Sequence, residues 1–204
     1  MMDYLRDPKA IYARSFDIIR IEADFSALPK DATAIAARII HACGMPEIVA
    51  DLRISADFRS ATLKAIHNGF PILVDAEMVR HGIIDKSLNI ICTLNDPAAR
   101  ETGKASSITR SAAAVELWKP LLKGALVVIG NAPTALFALL EMLDSKGPKP
   151  AAIAAFPVGF VGAAESKAEL HANSRGIPYA TLLGRKGGSA MAAAVVNALT
   201  RDET

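Results

Sequence analysis

Three glycine-rich turns in the sequence offer backbone N–H groups that suit the binding of an anion. They are residues 130–134, 157–167 and 184–189. Each follows a predicted strand and opens a helix with small residues, so we expect free N–H groups and a positive dipole end at each turn. Such turns often hold glycine for packing reasons alone. Together with the nearby cations Lys167, Arg185 and Lys186, they favour a ligand with several negative groups.

His41 is the histidine with the strongest claim to a chemical role. The helix predicted around it has a core stripe of Ile35, Ile39 and Ala42, and His41 lies about 120° from Ile35 around the helix axis. Arg38 lies three residues earlier on the same side. Histidine titrates near neutral pH, so a proton donor or hydrogen-bond donor is one interpretation, and a structural or surface histidine is the other.

The elements that must position these residues alternate between helices and short apolar strands. Strands are predicted at 71–75, 89–94, 125–129, 151–156 and 179–183. Helices are predicted at 8–25, 31–44, 55–69, 96–103, 111–123, 134–146, 163–175 and 188–200. The alternation predicts an α/β fold, a flavodoxin-like three-layer sandwich with a mostly parallel sheet of about five strands plus N-terminal helices. In such a sheet the site lies beyond the carboxyl ends of the strands.

Length, charge and cysteine content argue against nucleic-acid-binding, membrane-spanning and disulfide-rich proteins. The 204 residues are expected to form one domain, with residues 1–69 a mainly helical N-terminal part. A formal net charge of +2, without a long basic cluster, argues against a nucleic-acid partner. The apolar runs are strand-sized and predict no membrane segment. Two cysteines without C-x-x-C spacing indicate neither a zinc site nor a disulfide framework, and we expect a reduced, cytoplasmic protein.

Seven longer strings of residues together resemble one enzyme family. They are Ile-Tyr-Ala-Arg-Ser-Phe at 11–16, His-Ala-Cys-Gly at 41–44, Pro-Ile-Leu-Val-Asp-Ala-Glu-Met-Val at 71–79, Thr-Arg-Ser-Ala-Ala-Ala at 109–114, Gly-Asn-Ala-Pro-Thr-Ala-Leu at 130–136, Pro-Val-Gly-Phe-Val-Gly-Ala-Ala-Glu-Ser-Lys at 157–167 and Gly-Gly-Ser-Ala-Met at 187–191. In this order, and over essentially the whole chain, the sequence resembles the precorrin-8X methylmutase (cobalt-precorrin-8 methylmutase) family of cobalamin, or vitamin B12, biosynthesis.

The resemblance implies an isomerase that moves one methyl group from C11 to C12 of a tetrapyrrole. The product would be hydrogenobyrinic acid, or cobyrinic acid where cobalt is already present. The family resemblance implies no redox cofactor and no protein-bound metal. It also implies a homodimer that holds a corrinoid substrate near the subunit interface, and Ile11, Ile18 and Ile19 are expected on the paired surface.

The resemblance also assigns roles to individual residues. His41 matches the family's catalytic histidine. Eight further residues match motif positions suited to the acetate and propionate carboxylates of the substrate: Arg14, Ser15, Arg38, Arg110, Asn131, Thr134, Ser166 and Lys167. Arginine suits planar carboxylates because it can donate two parallel hydrogen bonds. The alternative interpretation treats these residues as ordinary surface charges, helix caps and packing residues.

Two other functions remain open from the residues alone. A nucleotide- or sugar-phosphate-binding α/β enzyme would explain the glycine turns, although the sequence has no G-x-x-x-x-G-K-[ST] loop and no G-x-G-x-x-G after its first predicted strand. A corrinoid carrier without catalysis would keep the carboxylate-binding residues and tolerate the loss of His41.

Overall fold

The computed structural model describes residues 2–200 as one six-stranded sheet with helices on both faces. The strands are β1 Leu52–Ile54, β2 Ile72–Val74, β3 Ile90–Cys92, β4 Leu126–Ile129, β5 Ala152–Ala155 and β6 Tyr179–Leu182. The α-helices are α1 Pro8–Glu22, α2 Thr33–Cys43, α3 Phe58–His67, α4 Glu77–Gly82, α5 Pro97–Ala105, α6 Arg110–Glu116, α7 Pro133–Asp144, α8 Ala163–Ala172 and α9 Ser189–Thr200. Short 3₁₀ helices span Lys30–Ala32 and Pro46–Asp51.

The order of the strands confirms the predicted fold class. Across the sheet the order is β1-β6-β5-β4-β2-β3. Strands β2 to β6 are mutually parallel, and β1 pairs with β6 in the antiparallel sense. When only the five parallel strands are counted along the chain, their order is 2-1-3-4-5, which is that of flavodoxin-like folds. The chain reverses its direction of winding between β2 and β4, so the carboxyl ends of those two strands border a crevice.

The structure differs from the predicted elements at several points, among them the unpredicted helix α4. Three of the differences have a local explanation. The strand β1 was not predicted, because three residues in the alternation buried, half-buried, buried give little periodic signal. The third helix begins at Phe58, since the Ser55 hydroxyl bonds to the Asp57 carboxylate at 2.7 Å and does not cap a helix at residue 55. The helix predicted to reach residue 123 ends at Glu116, four residues before Pro120, whose ring and missing N–H oppose its continuation.

Alternate side chains along the strands point into two hydrophobic cores, one on each face of the sheet. Val74, Val128 and Ala154 face the core formed with α1 to α4 and α9. Leu73, Val127 and Ile153 face the opposite core, formed with α6 to α8. Residues that alternate between two buried faces explain why these strands read as continuous apolar runs in the sequence.

The helix α1 contributes little to the first core. Its buried residue is Ile19, which is 7% exposed, whereas Ile11, Ile18 and Ile21 are exposed. The expectation that Ile19 lies on a paired outer surface is therefore wrong, because this side chain packs in the chain's own core. No helix within residues 2–200 combines the length and the apolar character that crossing a bilayer requires.

Candidate functional site

Asp75 occupies the crevice where the winding of the sheet reverses. It follows β2 directly, is 2% exposed, and accepts three backbone hydrogen bonds from the loop that follows β4. Its Oδ1 accepts from the N–H of Gly130 at 2.8 Å, and its Oδ2 accepts from Asn131 at 3.0 Å and Ala132 at 2.8 Å. Burial raises the pKa of Asp75, while the three N–H donors favour its ionised form and oppose that shift.

This internal carboxylate corrects one expectation from the sequence. The N–H groups of residues 130–132 are not free for a ligand, because Asp75 already holds them at the N-terminus of α7. The attraction of that helix end for an anion is satisfied within the protein. Asn131 itself stays exposed at the edge of the sheet, so its side-chain amide, not its backbone N–H, is available for hydrogen bonding there.

The loops after β4, β5 and β6 are joined into one continuous edge, which we call the rim (residues 130–134, 156–162 and 184–188). The N–H of Val158 donates to the Asn131 carbonyl at 3.4 Å. The N–H of Gly159 donates to the Arg185 carbonyl at 3.3 Å, and the N–H of Gly188 donates to the Phe156 carbonyl at 2.8 Å. The predicted convergence of the three turns is therefore present in the structure.

Lys167 and Ser166 lie behind the rim and do not reach its surface. Both are 0% exposed. The Ser166 hydroxyl donates to the Ala163 carbonyl at 3.3 Å, and Lys167 Nζ donates to the Lys186 carbonyl at 2.5 Å. Burial lowers the pKa of Lys167 to about 8. Their expected role as direct ligands for carboxylates is not accessible in this arrangement, because helix α8 turns both side chains inward.

The rim also meets the N-terminus of α6. The hydroxyls of Thr109, the N-cap of α6, and Thr134, in the first turn of α7, lie 2.7 Å apart. Arg110 is exposed at the start of α6, beside this pair. A groove of about 300 Å³ runs from the pair along α7 and is lined in part by Ile108 and Phe137. Arg110, Thr134 and Asn131 thus share one end of the molecule.

His41 lies with Arg38 on the side of α2 that faces α1. Its ring is stacked on Phe16, with centroids 5.0 Å apart and planes inclined by 23°, and it meets the edge of Tyr12 at 5.7 Å. The Arg38 guanidinium lies 5.3 Å from the centroid of Tyr12 and 5.4 Å from that of Phe16. His41 itself is exposed, while Ile39 on the core stripe is fully buried, as the helical spacing predicts.

The surroundings of His41 favour its neutral form. Partial burial and, secondarily, the charge of Arg38 lower the pKa of His41. At neutral pH the ring therefore offers an N–H that donates a hydrogen bond, and an anion that offsets the Arg38 charge makes the ring easier to protonate.

Two predicted residues on α1 complete this group. Ser15 is half-buried, and its hydroxyl donates to the Ile11 carbonyl at 2.8 Å, so its oxygen can still accept a hydrogen bond. Arg14 is exposed. The structure thus divides the predicted site residues into an α1–α2 group (Arg14, Ser15, Arg38 and His41) and a rim group (Arg110, Asn131 and Thr134, with Ser166 and Lys167 behind them).

An ion pair links the end of α2 to the rim. Glu47 follows α2 in the second 3₁₀ helix, and its Oε1 lies 3.1 Å from Nζ of Lys186. The antiparallel strand β1 enforces this proximity, because Leu52 at its start pairs with Leu182 at the carboxyl end of β6. The His41 end of α2 and the loop after β6 are therefore on the same side of the sheet.

Sequence reasoning assigned no role to several residues that shape this site. They are Tyr12, Phe16, Glu47, Asp75 and Thr109. The role of Asp75 could have been predicted from the sequence. An acidic residue directly after a fully buried strand is itself expected to be buried at the carboxyl edge, where it requires hydrogen-bond donors. The roles of the two aromatic residues could not have been predicted, since their partners lie about 25 residues further along the chain.

Comparison with known proteins agrees with this architecture. The family model described as precorrin-8X methylmutase matches residues 10–202. A relative from Pseudomonas aeruginosa named precorrin-8X methylmutase is 53% identical over 99% of both chains. One from Methanothermobacter thermautotrophicus named cobalt-precorrin-8 methylmutase is 39% identical, over 93% of this chain and 90% of the relative. The crystal structure of precorrin-8x methyl mutase from Thermus thermophilus superposes with a TM-score of 0.84 at 36% identity, covering 94% of each chain.

The fold is that of an α/β protein with a flavodoxin-like sheet and added N-terminal helices, and its candidate site residues lie at the carboxyl edge of the sheet and on α1 and α2. The chain belongs to the precorrin-8X methylmutase family, which matches almost its full length. It is accordingly an isomerase, and the fold and family expected from its motifs are confirmed.

We expect Asp75→Asn to destabilise the protein and loosen the rim. The amide would point an NH₂ group at backbone donors and lose charge-assisted hydrogen bonds of about 1.5–3 kcal/mol each. The free energy of unfolding in urea should fall by about 2–4 kcal/mol. Asp17→Asn, on the exposed side of α1, is the control and should change stability by less than about 0.5 kcal/mol. A stability loss at Asp75 no larger than the control's would contradict the buried-anchor role.

We expect Lys167 to make stability rise with pH. Burial lowers its pKa from 10.5 to about 8, so between these values the unfolded chain binds a proton that the folded chain has released. The free energy of unfolding contributed by this group therefore increases across that window, by up to about 3 kcal/mol. Lys167→Met should abolish the increase in urea titrations from pH 7 to 10.5, whereas Lys64→Met, at an exposed position on α3, should keep it. Equal slopes in all three proteins would refute the assignment.

Proposed function

We propose that this enzyme moves the methyl group at C11 of precorrin-8X to C12 and so forms hydrogenobyrinic acid. One carbon–carbon bond breaks and one forms within the same molecule, so no atom enters or leaves. The observation that carries the proposal is the placement of His41. It is exposed, held against Phe16, and accompanied by Arg38, in a chain that belongs to the precorrin-8X methylmutase family.

The cobalt-free precorrin is the substrate that we favour. The relative named precorrin-8X methylmutase is 53% identical to this chain, whereas the relative named cobalt-precorrin-8 methylmutase is 39% identical. Conversion of cobalt-precorrin-8 to cobyrinic acid is the alternative. Parallel assays with the two precursors would separate them, and faster turnover of the cobalt form would overturn this preference.

His41 is proposed as the catalytic residue that donates a hydrogen bond or a proton to the conjugated macrocycle. A methyl shift within one molecule requires the enzyme to hold the ring and to favour the electronic form that rearranges. A positioned donor at the ring contributes typically about 10²–10⁴-fold. The lowered pKa of His41 keeps its ring neutral at pH 7, so that it can approach an electron-rich ring as an N–H donor.

The carboxylates of the substrate are proposed to bind to exposed and half-buried polar residues of the α1–α2 group and of the rim. Arg14, Ser15 and Arg38 would act from the α1–α2 group. Arg110, Asn131 and Thr134 would act from the rim. Ser166 and Lys167 match the family motif but are buried, so we assign them a supporting role in which Lys167 holds the loop after β6 through the Lys186 carbonyl.

The phosphate-binding alternative loses its main support. It relied on free N–H groups at the glycine turns, and three of those groups are bound to Asp75. The carrier alternative predicts that the bound tetrapyrrole stays chemically unchanged, so the visible spectrum of the precursor incubated with the wild-type protein separates the two.

We further propose a homodimer that completes the substrate site. Support comes from exposed apolar side chains beside it: Ile11, Ile18 and Ile21 on α1, and Val158, Phe160 and Val161 on the loop after β5. The groove beside the rim, at about 300 Å³, lies at the low end for a drug-sized ligand and holds only part of a corrin. A monomeric mass in light scattering at micromolar concentration would contradict the proposal.

Two further proposals come from the composition. Residues 1–204 are proposed to be one domain, of which residues 1–69 form the mainly helical N-terminal part. The enzyme is proposed to work in the cytoplasm, which agrees with the reduced thiols of Cys43 and Cys92.

We expect His41→Ala to abolish methyl migration while the protein still folds and binds product. Loss of the donor should lower kcat by about 10²–10⁴-fold, followed through the change in the visible spectrum of the precursor. His67→Ala, at an exposed histidine near the end of α3, should retain the activity of the wild type. Full turnover by His41→Ala would overturn the catalytic assignment and favour a role in binding alone.

We expect esterification of the side-chain carboxylates to weaken the binding of the product far more than insertion or removal of cobalt. Each carboxylate that pairs with an arginine or an amide contributes about 1.5–3 kcal/mol through charge-assisted hydrogen bonds, and its ester loses most of this. Isothermal titration of the free acid, the full ester and the cobalt form measures the difference. Added salt should weaken binding of the acid but not of the ester. Equal affinities for acid and ester would show that the polar residues named above do not bind carboxylates.

A further inference from the structure

Two aromatic rings of α1 lie between the helix backbone and the two polar groups that α2 presents. Phe16 is stacked on His41 with centroids 5.0 Å apart, and Tyr12 meets the same imidazole edge-on at 5.7 Å. The two rings also touch each other, with centroids 4.7 Å apart. The Arg38 guanidinium lies within 5.5 Å of both. Four side chains from two helices thus form one cluster, which we call the aromatic clamp (Tyr12, Phe16, Arg38 and His41).

The clamp restricts side chains that would otherwise move freely. His41 is exposed and close to the end of α2, and no hydrogen bond fixes its ring among the contacts of residues 2–200. Arg38 has a long side chain with many rotamers. Stacking and cation–π contacts bias both groups toward one orientation without occupying their hydrogen-bonding atoms. Those atoms stay available to a ligand.

We propose that Tyr12 and Phe16 are positioning residues for the methyl shift, holding the imidazole of His41 and the guanidinium of Arg38 in the orientation that meets the macrocycle. This inference rests on the proposed role of His41. It gives a role to two further residues of the motif at positions 11–16, in addition to Arg14 and Ser15. It also explains why α1, which buries little in the core, is packed against α2 at this point.

The experiment compares Phe16→Leu with Phe16→Tyr and with Phe25→Leu. The first variant removes the stacked ring and keeps an apolar side chain, the second keeps the ring, and the third changes another half-buried phenylalanine on the same core, beyond the end of α1. In the free protein, the NMR signals of the His41 ring protons report the ring current of Phe16, with His67 as an internal reference. Steady-state assays then give kcat and KM separately.

We expect the ring-current shift of His41 to disappear in Phe16→Leu and to persist in Phe16→Tyr and Phe25→Leu, while the His67 signals stay unchanged. We expect kcat to fall at least tenfold in Phe16→Leu, since misplacement of a reacting group by about 1 Å can cost 10²-fold, and to be restored in Phe16→Tyr. Tyr12→Leu should act in the same direction, with the larger effect on KM because Tyr12 lies closer to Arg38 than to His41.

Each other outcome overturns a definite part of the inference. Loss of the ring-current shift with kcat unchanged would show that the stacking is structural and that the methyl shift does not depend on it. Absence of the shift in the wild type would show that the clamp does not form in solution. Equal losses of kcat in Phe16→Leu and Phe25→Leu would indicate general destabilisation. The His41→Ala variant tests the proposed function separately, so either idea can fail without the other.

Discussion

The carboxylate of Asp75 is the interaction on which the carboxyl edge of the sheet depends. It joins the end of β2 to the loop after β4 across the point where the winding reverses, and it does so through three backbone N–H groups. A buried carboxylate is costly unless it is hydrogen-bonded, and backbone N–H groups buried at the start of a helix are costly without an acceptor. The carboxylate and the N–H groups therefore satisfy each other, and this pairing holds the backbone of the loop that carries Asn131 and leads to Thr134.

The neighbouring loops depend on the same edge but are held by backbone contacts and by Lys167. Gly187 lies so close to the carbonyl oxygens of Phe156 and Pro157 that a Cβ there would clash, at 2.6 Å from the latter. Lys167 secures the adjacent Lys186 carbonyl from beneath. The glycine-rich composition of these turns therefore serves close approach between loops as much as approach to a ligand. Lys167, one of the residues expected to bind a carboxylate, therefore forms part of this support.

The sequence predicts the parallel strands well because each is a short apolar run, a signal that is visible without knowing the partner strand, and β2, β4 and β5 are buried on both faces. It does not predict β1, which is short and exists because β6 offers it an edge. The same division holds in the site. His41 and Arg38 are predictable from their place on one helix, since the spacing within a helix fixes which side chains share a side. Phe16 and Tyr12 are not, because their contacts depend on how α1 packs against α2, and helix spacing says nothing about that. Asp75 is predictable in part. Its position after a buried strand indicates that it needs hydrogen-bond donors, but the sequence does not show which backbone groups donate to it.

The two groups of site residues make different physical demands, and this explains their placement on different elements. The rim residues that we propose to bind carboxylates need only stay accessible to water until substrate arrives, so a position on a rigid edge suffices. The proposed donor to the macrocycle has to be oriented, so it is held against aromatic rings that leave its nitrogen atoms without hydrogen-bond partners among the described residues. Arg38 is proposed to take part both in carboxylate binding and in setting the pKa of His41. Burial and, secondarily, the charge of Arg38 lower the pKa of His41 in the free enzyme, and in the proposed complex a substrate carboxylate paired with Arg38 would offset that charge. The pKa of His41 would then rise on binding, so the histidine becomes easier to protonate only when substrate is in place, which couples carboxylate recognition to the protonation of the proposed donor.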